Sequence, residues 1–307
     1  MPDISFSPDA DFPCIYAEKG ISTIYIKDDY SKYENLPIKI SNIDCNNNAI
    51  NVVPKNCDIT LDIDESQINI SDVVNVIDKE VKESKFDICH SVGLNYITLH
   101  SSGIQAHSAH PEFGKNAISP MLILLNKIFT HFNYNVKLFD FFEKCIGIEF
   151  NGKSLGINFE DQSGKLTLNV GNFKFYENYL QIGLNLRIPI NTTIDTVTDM
   201  IDLKCKNYLL DTYVAGRQHL LYVPKNNYLV KTLCDIFNKM TNLNAEPIAI
   251  GGGTYARAFE NCVSFGANFP GDTDMCHQAN EFIDIDKLIL ACKIYAEAIY
   301  ELSHFEK

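Results

Sequence analysis

Two histidines, His107 and His110, stand in a stretch that opens at Gly103, closes at Pro111 and Gly114, and passes into a helix after Asn116. An imidazole on such a loop can reach out of its own domain to donate or accept a hydrogen bond; the alternative is an exposed loop histidine with no partner. A second stretch runs Ala249-Ile250-Gly251-Gly252-Gly253-Thr254-Tyr255-Ala256-Arg257. It reads as a buried strand ending in a loop whose backbone can approach a ligand closely, with N–H groups suited to an anion such as a carboxylate. An apolar run over 262–265, a Gly/Pro/Asp turn and then His277 follow. Alone, His277 reads as a satisfied histidine more readily than as a ligand, because zinc takes three or four donors. Arg187 ends a strand inside an apolar run, where a cation requires a carboxylate partner, either an internal Asp or Glu or the carboxylate of a ligand. Asp9, between Pro8 and Pro13, is ordinary turn chemistry or a ligand.

The elements that must position these groups follow from periodicity. From Gly20 the chain alternates, with Ile21, Thr23, Tyr25 and Lys27 on one face and Ser22, Ile24 and Ile26 on the other, which predicts a strand. Residues 49–53 and 59–63 also predict strands, being rich in β-branched side chains. Val73, Val74, Ile77 and Val81 recur at helical spacing behind Ser71 as N-cap. A strand over 96–99 and an apolar helix over 118–129 complete a first α+β layer. A second unit repeats the arrangement with a helix over 136–146, strands over 166–170 and 180–189, and a helix after Asp195, but without a residue-level repeat. Residues 217–226 read as a linker returning to another domain. An amphipathic helix carrying Leu229, Leu233, Ile236, Phe237 and Met240 follows, and a closing helix over 286–302 buries Leu290, Ile294, Ala298 and Leu302.

Composition narrows the function classes. The 307 residues are 46% hydrophobic and 21% charged, an ordinary globular balance. Asp and Glu outnumber Lys and Arg by 39 to 26, a net charge of −13 that opposes a phosphate backbone or an anionic membrane, so neither nucleic acid nor membrane is an expected partner. Ten cysteines with no Cys-x-x-Cys spacing read as reduced, mostly buried thiols. With no signal-like N-terminus and no membrane-length apolar run, the expected location is the cytoplasm.

The loop with its Ala106-His107, Pro111, Gly114 and Asn116-Ala117, the segment Asp272-Thr273 to His277 and Asn280-Glu281, and the opening Phe6-Ser7-Pro8-Asp9-Ala10-Asp11-Phe12-Pro13 together resemble the aminoacylase/carnosinase family of dinuclear zinc peptidases. The likeness is greatest to the bacterial peptidase V branch, whose members hydrolyse dipeptides. The resemblance covers nearly the whole chain. It implies a remnant of an α/β catalytic domain (1–19 and 221–307) with an inserted two-part α+β lid domain (20–220). It also implies roles. His107 hydrogen-bonds the oxygen that becomes negative as water attacks the peptide carbonyl. Asp9, with Asp11 as runner-up, and His277 are zinc ligands, Glu281 supporting the histidine. Arg187 clamps the substrate carboxylate beside Asn51, and Thr254 and Arg257 assist, unless they serve only loop structure and a surface ion pair. Asp9 and His277 are then expected to converge beside a metal pocket that His107 overhangs.

The chemistry so implied needs more than these residues. A dinuclear hydrolase uses a bridging carboxylate, a second histidine, a further carboxylate and a glutamate base, and the resemblance places them before the position of Asp9, in a His-x-Asp segment and a Glu-Glu pair. The chain has no Glu-Glu pair, and its opening reads as cut rather than begun. Three expectations compete: a truncated metallodipeptidase that lacks its chemistry, a non-catalytic dipeptide-binding remnant, or one piece of a split enzyme completed by another chain. An exposed sheet edge left by the absent strands predicts self-association.

Overall fold

The computed structural model describes residues 3–45, 49–273, 275 and 280–304. The chain opens with strands β1 (Ser5–Ser7), β2 (Ile15–Glu18) and β3 (Gly20–Asp29), followed by β4 (Ile38–Asp44) and β5 (Asn56–Ile63). Helix α1 (Ile70–Ser84) leads to β6 (Ile88–Val92) and β7 (Tyr96–Ser102), then to α2 (Ile118–His131) and α3 (Lys137–Cys145). A small hairpin of β8 (Glu160–Asp161) and β9 (Gly164–Lys165) precedes β10 (Thr167–Tyr176), β11 (Tyr179–Ile188) and α4 (Ile194–Lys206). The last part holds β12 (Asp211–Gln218), β13 (Leu221–Tyr222), α5 (Tyr228–Thr241), β14 (Ile248–Ile250), β15 (Cys262–Ser264) and α6 (Ile285–Ser303).

Two hydrophobic cores result. The larger runs from Ile24 to Leu210 and lies between helices α1–α4 and two antiparallel sheets, ordered β4-β5-β7-β6 and β10-β11-β3-β12. The smaller joins Phe12 to Ala17, Ile190, the inner faces of α5 and α6, and Val263 with Phe265. Its sheet is mixed, with β1 parallel to β15, β14 parallel to β2 and β13 antiparallel to β2. Aromatic rings fill its centre: Phe12 stacks on Phe237 with centroids 5.0 Å apart and meets Phe265 edge-on at 5.0 Å.

Several local expectations are corrected. Strand β3 alternates as its pattern predicts, burying Ser22, Ile24 and Ile26. Yet it does not join the sheet next to it in sequence; it pairs with β11 and β12, because strand pattern fixes a face and leaves the partner open. Residues 49–53 form a turn rather than a strand, with an isolated bridge from Val52 to His107 in place of a ladder. The carbonyls of Ile50 and Val52 are taken by the side chain of Asn169, at 3.3 and 2.9 Å. Gly171 admits the turn, since a Cβ there would lie 2.2 Å from the Ile50 oxygen. Helix α1 is capped by Asn69, whose side chain accepts from Ser71 N–H at 2.8 Å, so Ser71 is the capped residue and not the cap. The expected linker over 217–226 holds the end of β12 and all of β13, which pairs Leu221 and Tyr222 with β2. In α6 the fully buried positions are Ala291, Ile294 and Ala298, while Leu290 and Leu302 are only partly covered. Among the described residues no helix is long and apolar enough to cross a membrane.

Helix α3 shows how far its supports lie in sequence. Val136 at its N-cap offers no side-chain acceptor. Instead Asp28 of β3, 1% exposed, accepts from Leu138 N–H at 3.0 Å and from the Tyr33 hydroxyl at 2.9 Å, and that hydroxyl accepts from Lys137 N–H at 3.1 Å. Asp28→Ala strands two buried donors, so it should cost about 1–3 kcal/mol in urea denaturation; an unchanged midpoint would show that α3 does not need this strand-borne cap.

Candidate functional site

The loop carrying His107 rests on the polar face of the β10-β11-β3-β12 sheet. Ser108 is the anchor: its hydroxyl donates to Asn185 of β11 at 2.7 Å, and its carbonyl accepts from Thr167 of β10 at 3.1 Å. Backbone bonds from Ser108 N–H to Asn51 O, 2.9 Å, and from Val53 N–H to Ala106 O, 2.8 Å, lash the loop to the 49–53 turn. Asn116 closes it, its side-chain oxygen capping α2 through Ile118 N–H at 2.8 Å and its amide donating to Val170 O at 2.8 Å. His107 is therefore an exposed side chain on a well-held backbone, with Asn51 beside it. Its Nδ1 accepts from Ala109 N–H at 3.3 Å, so the neutral ring carries its proton on Nε2. His110 is exposed and turned to Glu112, with Nδ1 3.2 Å from Oε1.

Arg187, at the end of β11, ties this loop to the glycine loop. Its guanidinium donates through Nη2 to the Ser108 hydroxyl and through Nη1 to Gly251 O, both at 3.0 Å. The residue is 3% exposed, its Nε has no hydrogen-bond partner, and among the described residues it makes no ion pair with a carboxylate. Burial pushes its pKa down to about 10, and the nearby charge of Arg257 adds to the effect. Lys19, also buried, donates to Lys165 O at 2.6 Å, and its pKa is likewise lowered by burial. The two loops meet closely: a Cβ on Gly251 would lie 2.9 Å from the Ala109 methyl, so the approach requires glycine.

Thr254 and Arg257 turn inward on Glu18, a carboxylate at the end of β2 with 0% exposure. Glu18 accepts from Thr254 N–H at 3.1 Å, from the Thr254 hydroxyl and from Arg257 Nε. The remaining guanidinium donors of Arg257 go to carbonyls, those of His219 at 2.9 Å, Lys19 at 2.8 Å and Gly252 at 2.6 Å. The ion pair is thus buried rather than a surface one, and it holds the glycine loop against β2.

Asp9 lies at the mouth of an open cleft of about 670 Å³ lined also by Gln218, His219, Gly253, Thr254 and Tyr255, and its Oδ2 accepts from Tyr255 N–H at 3.4 Å. Asp11 is engaged in turn structure, forming a bridge with Asn268 and accepting from its amide at 3.3 Å. Glu281 lines another cleft with Asn268 and Asp272. His277 lies outside the described residues. Among the described residues no three His, Cys, Asp or Glu side chains come together to hold a metal ion.

The structure thus brings His107, Asn51, Arg187, Thr254 and Arg257 into one bonded network, with Asp9 on the glycine-loop side of it. Sequence reasoning passed over Ser108 and Glu18. The signal for Glu18 was present, a lone acid closing the apolar run Ile15-Tyr16-Ala17, which a buried strand tolerates only if the charge is paired. Ser108 carries no signal beyond its place next to His107.

The model of peptidase family M20/M25/M40 matches residues 6–301. A protein of Staphylococcus aureus (strain bovine RF122 / ET3-1), provisionally named a dipeptidase, is 31% identical over 313 residues covering 98% of this chain and 64% of its own length. Its counterpart in strain MRSA252 matches to the same extent. The chain therefore spans about 64% of the length of the curated relatives it matches. Among solved structures, human carnosine dipeptidase 1 aligns with a TM-score of 0.47 at 10% identity, over 99% of this chain and 60% of that one. With a family match over almost all its residues and a third of its positions shared with such relatives, the chain belongs to peptidase family M20/M25/M40.

Proposed function

We propose that this chain is the substrate-gripping part of a zinc-dependent dipeptidase of that family, in which 20–220 form a two-part lid and the flanking segments form part of the catalytic domain. Arg187 takes the C-terminal carboxylate of the peptide. The observation that carries this reading is a buried guanidinium with an unused Nε and no carboxylate partner among the described residues. Keeping such a charge out of water is costly unless an anion completes it. Asn51 lies in the same network and assists at the peptide carboxylate, while Thr254 and Arg257, both turned to Glu18, act by holding the glycine loop in place. His107, with its proton on Nε2, donates to the carbonyl oxygen as it gains negative charge.

Asp9 and His277 are the metal ligands the chain contributes on this reading. The described residues supply no complete donor set. A metal bound with further donors would polarise the peptide carbonyl and activate water. Residues that could act as the glutamate base in a Glu-Glu pair are not in this sequence. The 307 residues by themselves then bind a dipeptide without hydrolysing it.

Calorimetry with alanylalanine and with its C-terminal amide tests the clamp. Wild type should prefer the free acid by about tenfold or more, and Arg187→Gln should erase the preference; equal binding of acid and amide by wild type would overturn the reading. Elemental analysis after exhaustive dialysis should find substoichiometric zinc, because two donors do not make a tight site. Two retained metals with sustained dipeptide turnover would contradict it. Finally, α6 turns Ile285, Leu288, Ile289, Ile299 and Tyr300 to solvent, and Ile299 lies by β1, which is an edge strand. Such a surface favours self-association. Light scattering should show mass rising with concentration and falling back in Ile299→Lys, whereas a monomer at all concentrations would count against it.

A further inference from the structure

Carboxylate recognition by Arg187 depends on a group that does not touch the carboxylate. We infer that the buried Glu18–Arg257 pair is a positioning lock, which sets the Gly251 carbonyl and through it the plane of the Arg187 guanidinium; the inference rests on the reading of Arg187 given above. The chain of contacts is continuous. Glu18 is 0% exposed and gathers three donors from the glycine loop and its 3-10 turn: Thr254 N–H, the Thr254 hydroxyl and Arg257 Nε. The Thr254 hydroxyl also accepts from Ser264 at 2.5 Å and from Ala256 N–H at 3.2 Å, so its direction is fixed from β15 as well. Arg257 then stitches Lys19, Gly252 and His219 together through their carbonyls, joining β2, the glycine loop and the segment after β12.

Gly252 is fixed by Arg257, and Gly251, its neighbour, offers the oxygen that Arg187 Nη1 uses at 3.0 Å. On its other side Ile250 O accepts from Lys19 N–H at 3.0 Å, with Ile250 in register with Glu18. Gly251 therefore stands between two points that both belong to the Glu18 neighbourhood. A guanidinium that recognises a planar carboxylate does so in one orientation, and each of its contacts with fixed acceptors narrows that orientation. Glu18 has a second effect. Arg257 lies near enough to Arg187 to disfavour its charge, and the Glu18 carboxylate balances Arg257 within the same buried cluster. Lock and counter-charge are one residue.

The test compares the preference for alanylalanine over its C-terminal amide in wild type, Glu18→Gln and Arg257→Lys, with thermal melting measured alongside. Arg257→Lys keeps a cation facing Glu18 but cannot reach three carbonyls at once, so it separates position from charge. Both variants should lose about tenfold or more of the acid-over-amide preference, through weaker binding of the acid and not of the amide. A wild type that prefers the acid, with Arg257→Lys retaining that preference in full, would overturn the lock while leaving the clamp standing. A wild type with no preference would remove the clamp and the lock together. If Glu18→Gln does not fold, Arg257→Lys alone decides, since its ion pair is preserved.

Discussion

A single buried guanidinium holds the two working loops of this protein in register. Arg187 reaches from the end of β11 to the hydroxyl of Ser108 and to the carbonyl of Gly251, and these groups stand 143 residues apart in the chain, from 108 to 251. Neither loop has a regular element of its own at the contact. The histidine loop holds only a 3-10 turn, Pro111–Phe113, between β7 and α2, and the glycine loop follows a strand of three residues. Each is made definite by bonds to groups outside itself, and Arg187 is bonded to both.

The seat beneath is a polar sheet face, which is unusual for a surface so well covered. Asn185, Asn169 and Thr167 sit where an antiparallel sheet would ordinarily bury apolar side chains or face water. Here they are buried beneath the histidine loop and the 49–53 turn, whose backbone groups need partners because irregular segments cannot satisfy themselves. The opposite face of the same sheet carries Ile24, Ile26, Leu184 and Leu186 into the larger core. One sheet therefore serves stability on one side and loop placement on the other. Close backbone approach at Gly171 and Gly251 completes the fit, since any side chain there would push the turn or the loop away.

Electrostatics leave one buried cation without a carboxylate partner among the described residues of a strongly acidic protein. Lys19, Arg187 and Arg257 lie close together; Glu18 pairs with Arg257, and Asp161 and Glu112 act on Lys19, which leaves Arg187 as the buried cation with no carboxylate partner among the described residues. The acidic surface of the whole chain, net −13, does not substitute for that partner, because screening by water and salt weakens the action of distant surface charges. On the proposed function, the group that completes the buried Arg187 is the carboxylate of the peptide.

How much of this was legible in one dimension follows from the range of the forces involved. Helices α2, α4 and α5 and the alternation of β3 were readable because apolar periodicity acts within a few residues. His107, Arg187 and the glycine loop stood out as residue types in unexpected places, an imidazole on a loop and a cation in an apolar strand. Their connection did not, because a hydrogen bond between residues 187 and 251 leaves no trace in either neighbourhood. The sheet that β3 joins, the turn at 49–53, the cap of α3 by Asp28 and the burial of Glu18 against Arg257 were likewise settled only on folding. By itself the sequence determined the strongly periodic helices and the alternation of β3, which residues are candidates, and the family. Tertiary structure alone decided which of those candidates share a site, since only packing brings distant polar groups into an interior where each must find a partner.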